Sequence, residues 1–209
     1  MPPPPTLKII EIFASVQGEG TRRGEPMVFV RLAGCNLKCK FCDTKYAWQG
    51  GRSLSSAEVL EKIGAIRRRF PADWVCLTGG EPLRQDVREL VSLLKKKGLR
   101  VQVETNGTFY RPLAADWYTL SPKPGKYFFQ PAYRKKAKEV KLVVTRQLEF
   151  RTVQKLRKEF PQQTPLLLQP QSNRRWSVER SLKLLEQSLS AGLPNVRLSA
   201  QLHKIFKFR

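Results

Sequence analysis

The sequence predicts an α/β fold built on a mostly parallel sheet, open or closed part way into an incomplete barrel. Two observations predict it. Short apolar runs rich in β-branched residues alternate with stretches of helical periodicity along the chain. The glycine, cysteine and proline motifs come directly after predicted strands, where folds of this class carry their chemistry.

The elements follow in order. "LKIIEIFAS" and "MVFVRLAG" read as strands. "SSAEVLEKIGAIRRRF" places Val59, Ile63, Ile66 and Phe70 at helical spacing, and Ser55 with Glu58 fits a capping box. "WVCLT" is a short buried strand. "DVRELVSLLKKKG" sets Val87, Leu90, Val91 and Leu94 on one helical face, with Gly98 as its stop. Strands "LRVQVE", "WYTLS" and "EVKLVV" come next, then helix "LEFRTVQKLRKEF", strand "PLLLQP", helix "SVERSLKLLEQSLSAG" and strand "NVRLS". No internal repeat appears.

A length of 209 residues suits one domain, 1–209, with a flexible proline-rich tail over 1–6. No apolar run approaches the roughly 20 residues that span a bilayer, which predicts no membrane contact. The start "MPPPPTLK" lacks the basic and apolar regions of a signal peptide, so a cytoplasmic protein with reduced thiols is expected. The charge is extreme, 39 Lys+Arg against 17 Asp+Glu, net +22. Such a balance attracts polyanions. The basic residues are dispersed in short runs without interleaved aromatics, and His203 is the single histidine. Nucleic acid is therefore expected only through a non-specific basic surface.

"CNLKCKFCDT" holds Cys35, Cys39 and Cys42 at C-x3-C-x2-C spacing. Three thiolates can hold three corners of a 4Fe–4S cluster and leave one iron open to a ligand. They can equally start a zinc site completed by Cys76 or His203, because structural zinc takes four protein ligands. The cysteines alone leave both readings open. Cys76, inside "WVCLT", reads as a small buried apolar residue.

"TGGEPL", Thr78 to Leu83, adds two glycines after a strand, where backbone can approach a ligand closely. With the cysteine spacing and Phe41 between the last two cysteines, it resembles the radical SAM superfamily. "SVQGEGTRRG", "FVRLAGCNLKCKFCDTKYAW", "ETNGT", "SPKP" and "RLSAQLHK" narrow the resemblance to the 7-carboxy-7-deazaguanine synthase family, over almost the whole chain.

That resemblance implies an incomplete barrel of the radical SAM type. It implies a lyase that converts 6-carboxy-5,6,7,8-tetrahydropterin to 7-carboxy-7-deazaguanine and ammonia in 7-deazapurine (queuosine- or archaeosine-type) biosynthesis. The cofactors implied are a 4Fe–4S cluster, S-adenosylmethionine (SAM) and magnesium. The partners implied are a flavodoxin- or ferredoxin-type electron donor and a second copy in a homodimer. No catalytic residue is expected beyond the cluster and SAM. By position, Cys35, Cys39 and Cys42 match the cluster ligands and Thr44 the magnesium ligand. Phe41, Gly79, Gly80, Glu81, Ser121, Lys123 and Gln169 match SAM-side positions. Val16, Gln17, Gly18, Arg31, Thr78 and the terminal Arg209 match substrate-side positions.

Three readings rest on residue chemistry. A guanidinium suits a carboxylate bidentately, so Arg31 fits the pterin's acid group, or is a plain strand charge. Glu19 can bond the pterin's amino and ring nitrogens. The segment "RLSAQLHKIFKFR" holds Leu198, Leu202, Ile205, Phe206 and Phe208; burying two such side chains contributes on the order of 3–6 kcal/mol. It is expected to dock and to bring His203 to the substrate. Two other functions share parts of the pattern. A radical SAM activating enzyme acting on a partner protein would have the cluster and "GGEP" but not "SVQGEG" or "QLHK". A zinc-containing nucleic-acid-binding protein would account for the charge.

Overall fold

In the computed structural model, residues 5–208 are described, in two compact units. The first contains residues through Val16, Glu25–Thr105 and Phe109–Trp117. Its strands are β1 (Thr6–Val16), β2 (Pro26–Leu32), β3 (Arg52–Ser55), β4 (Trp74–Gly79) and β5 (Arg100–Thr105), in the order β3-β1-β2-β4-β5. Its helices are α1 (Ser56–Arg67) and α2 (Arg88–Lys96). β2, β4 and β5 pair in parallel. β1 runs antiparallel to both β2 and β3. This antiparallel edge was not foreseen, and β3 lies in a stretch to which the sequence reading assigns no strand. Thr6, placed in the flexible tail by its prolines, pairs with Ser55 and begins β1 instead. Residues 1–4 of that tail lie outside the described residues.

Local chemistry sets the helix ends. The Ser55 hydroxyl accepts from Glu58 N at 3.2 Å, and Ser55 N donates to Glu58 Oε2 at 2.7 Å, closing the expected capping box. α2 buries Leu90, Val91 and Leu94 and stops before Gly98, whose φ is +74°. Met27, Val28, Val30, Leu32, Val75, Leu77, Val101 and Val103 are buried on the strands.

The second unit contains Gln17–Gly24, Asn106–Thr108 and Tyr118 onward. It holds β6 (Trp117–Leu120, whose first residue counts with the other unit), α3 (Tyr133–Lys136), β7 (Glu139–Val144), α4 (Phe150–Lys158), β8 (Leu166–Pro170), α5 (Arg175–Ser190), β9 (Val196–Leu198) and α6 (Leu202–Phe206). β6, β7, β8 and β9 are adjacent in that order and all parallel. Leu120, Leu142, Val144, Leu148, Leu166 and Leu168 are buried in this unit. Among the described residues, no helix is long and apolar enough to cross a membrane.

Candidate active site

In the first unit, the cysteine loop leaves the C-terminal end of β2. Cys35, Cys39 and Cys42 are half-buried, and no cysteine forms a disulfide. Lys38 takes a left-handed conformation, φ +44°, and Cys42 N donates to Cys39 O at 3.0 Å, so the chain turns tightly between the thiols. Thr44 N donates to Cys42 Sγ at 3.4 Å. Cys76 is fully buried with Phe13, Met27, Phe29 and Trp74. It has no surface to offer a metal, which removes it as the fourth ligand of a zinc site.

The end of β4 is stitched to the start of this loop. Gly80 N donates to Leu32 O at 3.1 Å, and Glu81 N to Gly34 O at 2.8 Å. Here glycine is obligatory. A β-carbon on Gly79 (φ +128°) would sit 2.1 Å from Leu32 O, and one on Gly80 would sit 2.2 Å from Gly34 O and 2.9 Å from Cys35 N. Half-buried backbone at Gly79 and Gly80 is thereby held beside the cysteine loop. The Glu81 side chain is fully buried, accepting from Leu83 N at 3.2 Å and Thr105 Oγ1 at 2.8 Å, bonds that fix the glycine turn.

Arg31 and Thr78 are register partners on β2 and β4. Arg31 Nε donates to Glu11 Oε1 at 2.6 Å, the Tyr46 hydroxyl donates to the same oxygen at 3.0 Å, and the guanidinium lies 5.7 and 5.8 Å from the Phe13 and Tyr46 rings. That bond uses Nε and not the outer edge of the guanidinium. Thr78 Oγ1 donates to Glu104 Oε2 at 3.4 Å. Phe41 and Thr44 are half-buried on the cysteine loop, and Thr44 Oγ1 donates to Asp43 Oδ1 at 3.1 Å. Val16 ends β1.

In the second unit, Gln17 and Gly18 are buried in a loop closed by Gly24 N donating to Gln17 O at 2.9 Å. Gln17 Oε1 accepts from Glu19 N at 3.1 Å. Glu19 is ion-paired with Lys141 Nζ and accepts from Gln201 Nε2 at 2.6 Å. Burial pushes the Glu19 carboxyl up, but Lys141, Gln201 and the nearby His203 outweigh it and hold it well below the usual carboxylate range. Glu19 is therefore an anion at neutral pH. Ser121, just past β6, donates to Lys141 O at 2.9 Å and accepts from Lys123 Nζ at 2.6 Å. Gln169, near the end of β8, accepts from Ser199 Oγ at 3.5 Å.

The C-terminal segment docks, though not by the expected means. Ile205 and Phe206 are 53% and 68% exposed. Polar contacts hold it: Leu202 N donates to Gly18 O at 2.8 Å, Asn173 Nδ2 donates to Gln201 O at 3.2 Å, and the buried Gln201 side chain reaches Glu19. His203 then lies against Gly18, where a β-carbon would be 2.5 Å from its Nδ1. Arg209 lies outside the described residues.

Sequence reasoning missed Glu11, Glu104, Glu139, Lys141 and Gln201. A signal existed for two of them. "EVKLVV" alternates charged and apolar residues at its start, the mark of a strand with one polar face.

The cysteine loop suits a group that takes three thiolates from protein, and the half-buried glycine backbone beside it suits a ligand to the remaining corner. Comparison with known proteins agrees. The Radical SAM superfamily model matches residues 29–141. The chain is 35% identical to the 7-carboxy-7-deazaguanine synthase of Aquifex aeolicus, covering 97% of this chain and 94% of that protein. It is 34% identical to the synthase of Synechocystis, with 96% and 93% covered. The crystal structure of QueE from Escherichia coli superimposes with a TM-score of 0.78 at 30% identity, covering 94% of both chains. The mostly parallel α/β fold is that of the radical SAM partial barrels. The chain thus belongs to the 7-carboxy-7-deazaguanine synthase family of the radical SAM superfamily.

Proposed function

We propose that this chain converts 6-carboxy-5,6,7,8-tetrahydropterin to 7-carboxy-7-deazaguanine and ammonia, as a lyase of 7-deazapurine biosynthesis. The observation that carries this is family membership over nearly the full chain, with the half-buried cysteine loop and its glycine turn intact. The family uses a 4Fe–4S cluster and SAM. When bound, these supply the one-electron chemistry that opens the ring contraction.

The protein's part is to bind, orient and exclude water. Cys35, Cys39 and Cys42 hold the cluster, with Thr44 N stabilising the Cys42 sulfur. The Gly79–Gly80 backbone takes the amino group of SAM, and Phe41, Ser121, Lys123 and Gln169 line its site. Arg31 binds the pterin carboxylate through its outer edge while Glu11 fixes its Nε edge. Thr78, Gln17 and Gly18 complete the substrate contacts, beside the last residue of β1, Val16. Glu19, held ionised, accepts from the pterin's amino and ring N–H groups, and His203 supports it. Arg209 joins this set at the chain end. Thr44 offers magnesium a hydroxyl oxygen, a hard neutral ligand such a cation accepts beside substrate and water.

The enzyme acts in the cytoplasm as one radical SAM core domain, taking electrons from a flavodoxin- or ferredoxin-type protein. It forms a homodimer; Leu182 and Leu189, exposed seven residues apart on α5, support association through that helix. The test is anaerobic reconstitution with iron and sulfide, then incubation with the carboxypterin, SAM, magnesium and a reductant. Formation of 7-carboxy-7-deazaguanine with release of ammonia is expected. A protein that binds zinc instead, or a loaded cluster that leaves the pterin untouched, overturns the reading.

A further inference from the structure

β7 carries charge where a buried strand has no packing use for it. Val140, Leu142 and Val144 are buried apolar residues of one face. Glu139 and Lys141, two residues apart and thus on the other face, are buried as well. Buried ionic groups persist only when paired and hydrogen-bonded. Both are satisfied by the same segment, Gln17–Gly24.

Glu139 Oε2 accepts from Thr21 N and Thr21 Oγ1, each at 2.7 Å. Its other oxygen accepts at 2.7 Å from Thr119 Oγ1 on β6, its register partner. The loop backbone runs hard against this carboxylate. Gly20 has φ +73°, and a β-carbon there would stand 2.3 Å from Glu139 Oε1. Two residues along β7, Lys141 Nζ pairs with Glu19, two residues before Thr21. The spacing on the strand therefore matches the spacing on the loop. Surface loops open easily unless tied to rigid structure, and a binding constellation needs placement to about 0.5 Å. A strand paired on both sides provides that rigidity.

We infer that Glu139 and Lys141 are positioning residues, a two-point clamp on β7 that fixes the Gln17–Gly24 loop in its substrate-holding form. They act through Thr21 and Glu19. This rests on the reading of Gln17, Gly18 and Glu19 as substrate contacts.

The experiment compares reconstituted wild type with Lys141→Met, Lys141→Arg and Thr21→Val. Thr21 is exposed, so its variant folds even where Lys141→Met does not. In the pterin-free enzyme, hydrogen exchange at the Gly18–Gly24 amides should quicken tenfold or more in Lys141→Met and severalfold in Thr21→Val, while β2 and β4 stay unchanged. In turnover, KM for the carboxypterin should rise tenfold or more in Lys141→Met with kcat lowered less than threefold. Affinity for SAM should be unaltered, and Lys141→Arg should restore KM to within threefold. Unchanged loop exchange overturns the clamp. Faster exchange with an unchanged KM overturns its link to substrate. A wild type that never turns over the pterin overturns the proposed function, and the exchange result still decides the clamp.

Discussion

A β-carbon on Gly18 would stand 2.5 Å from Nδ1 of His203, although the two residues lie near opposite ends of the chain. Real β-carbons do not approach so closely, so glycine at 18 and histidine at 203 are one structural unit. Leu202 N donating to Gly18 O at 2.8 Å seals it. Gly18→Ala should therefore displace the imidazole and cost about 1–3 kcal/mol of stability, the usual range for overfilling a packed site. His203→Ala in the same chain should return most of that stability. Thermal unfolding of the two single variants and the double variant measures the coupling; additive losses would show that the two do not share one space.

The three cysteines proposed to hold the cluster differ from the fourth in burial. Cys35→Ala, Cys39→Ala and Cys42→Ala should each lose the 4Fe–4S cluster on reconstitution. Cys76→Ala should load normally while losing about 1–2 kcal/mol, since it removes one buried atom from the core. Iron and sulfide counts with denaturation curves check both. Full cluster occupancy in Cys39→Ala would contradict the assignment.

Thr44 offers one neutral oxygen, a small part of a magnesium shell. Thr44→Ala should keep the cluster and SAM binding, slow turnover partially, and change how rate depends on magnesium. Its backbone N–H, which serves Cys42, is untouched by the substitution. An unaltered magnesium response would count against this site.

At the C-terminus, polar anchoring and apolar exposure predict opposite outcomes for neighbouring changes. Removing Gln201–Arg209 should abolish turnover of the carboxypterin while iron content and SAM binding persist, because Gln201 and His203 leave with it. Ile205→Ser and Phe206→Ser should alter stability by less than about 0.5 kcal/mol, as surface substitutions do. Steady-state kinetics and melting of the three variants distinguish polar docking from apolar docking.

Local chemistry was legible in the sequence where it is settled by neighbours in the chain. The Ser55–Glu58 capping box, the apolar face of α2 and the Cys76 strand all follow from residues within a few positions. So does the cysteine loop, whose three cysteines span eight residues. What depends on distant partners was not legible. Glu139 meets Thr21 across 118 residues, and Lys141 meets Glu19 across 122. Composition also misled at the C-terminus: apolar residues there predicted burial, yet Ile205 and Phe206 are exposed, while the buried Gln201 supplies the anchor. Glu81 shows the same limit. Only packing reveals that its carboxylate turns inward to Thr105.

The family resemblance implies that SAM drives the ring contraction and is regenerated at its end, and the ratio of products tests this most directly. Reconstituted enzyme is supplied with the carboxypterin, magnesium, a reductant and limiting SAM, and both 7-carboxy-7-deazaguanine and 5′-deoxyadenosine are quantified. Many molecules of deazaguanine per molecule of SAM consumed are expected. Stoichiometric 5′-deoxyadenosine with no deazaguanine would contradict the account.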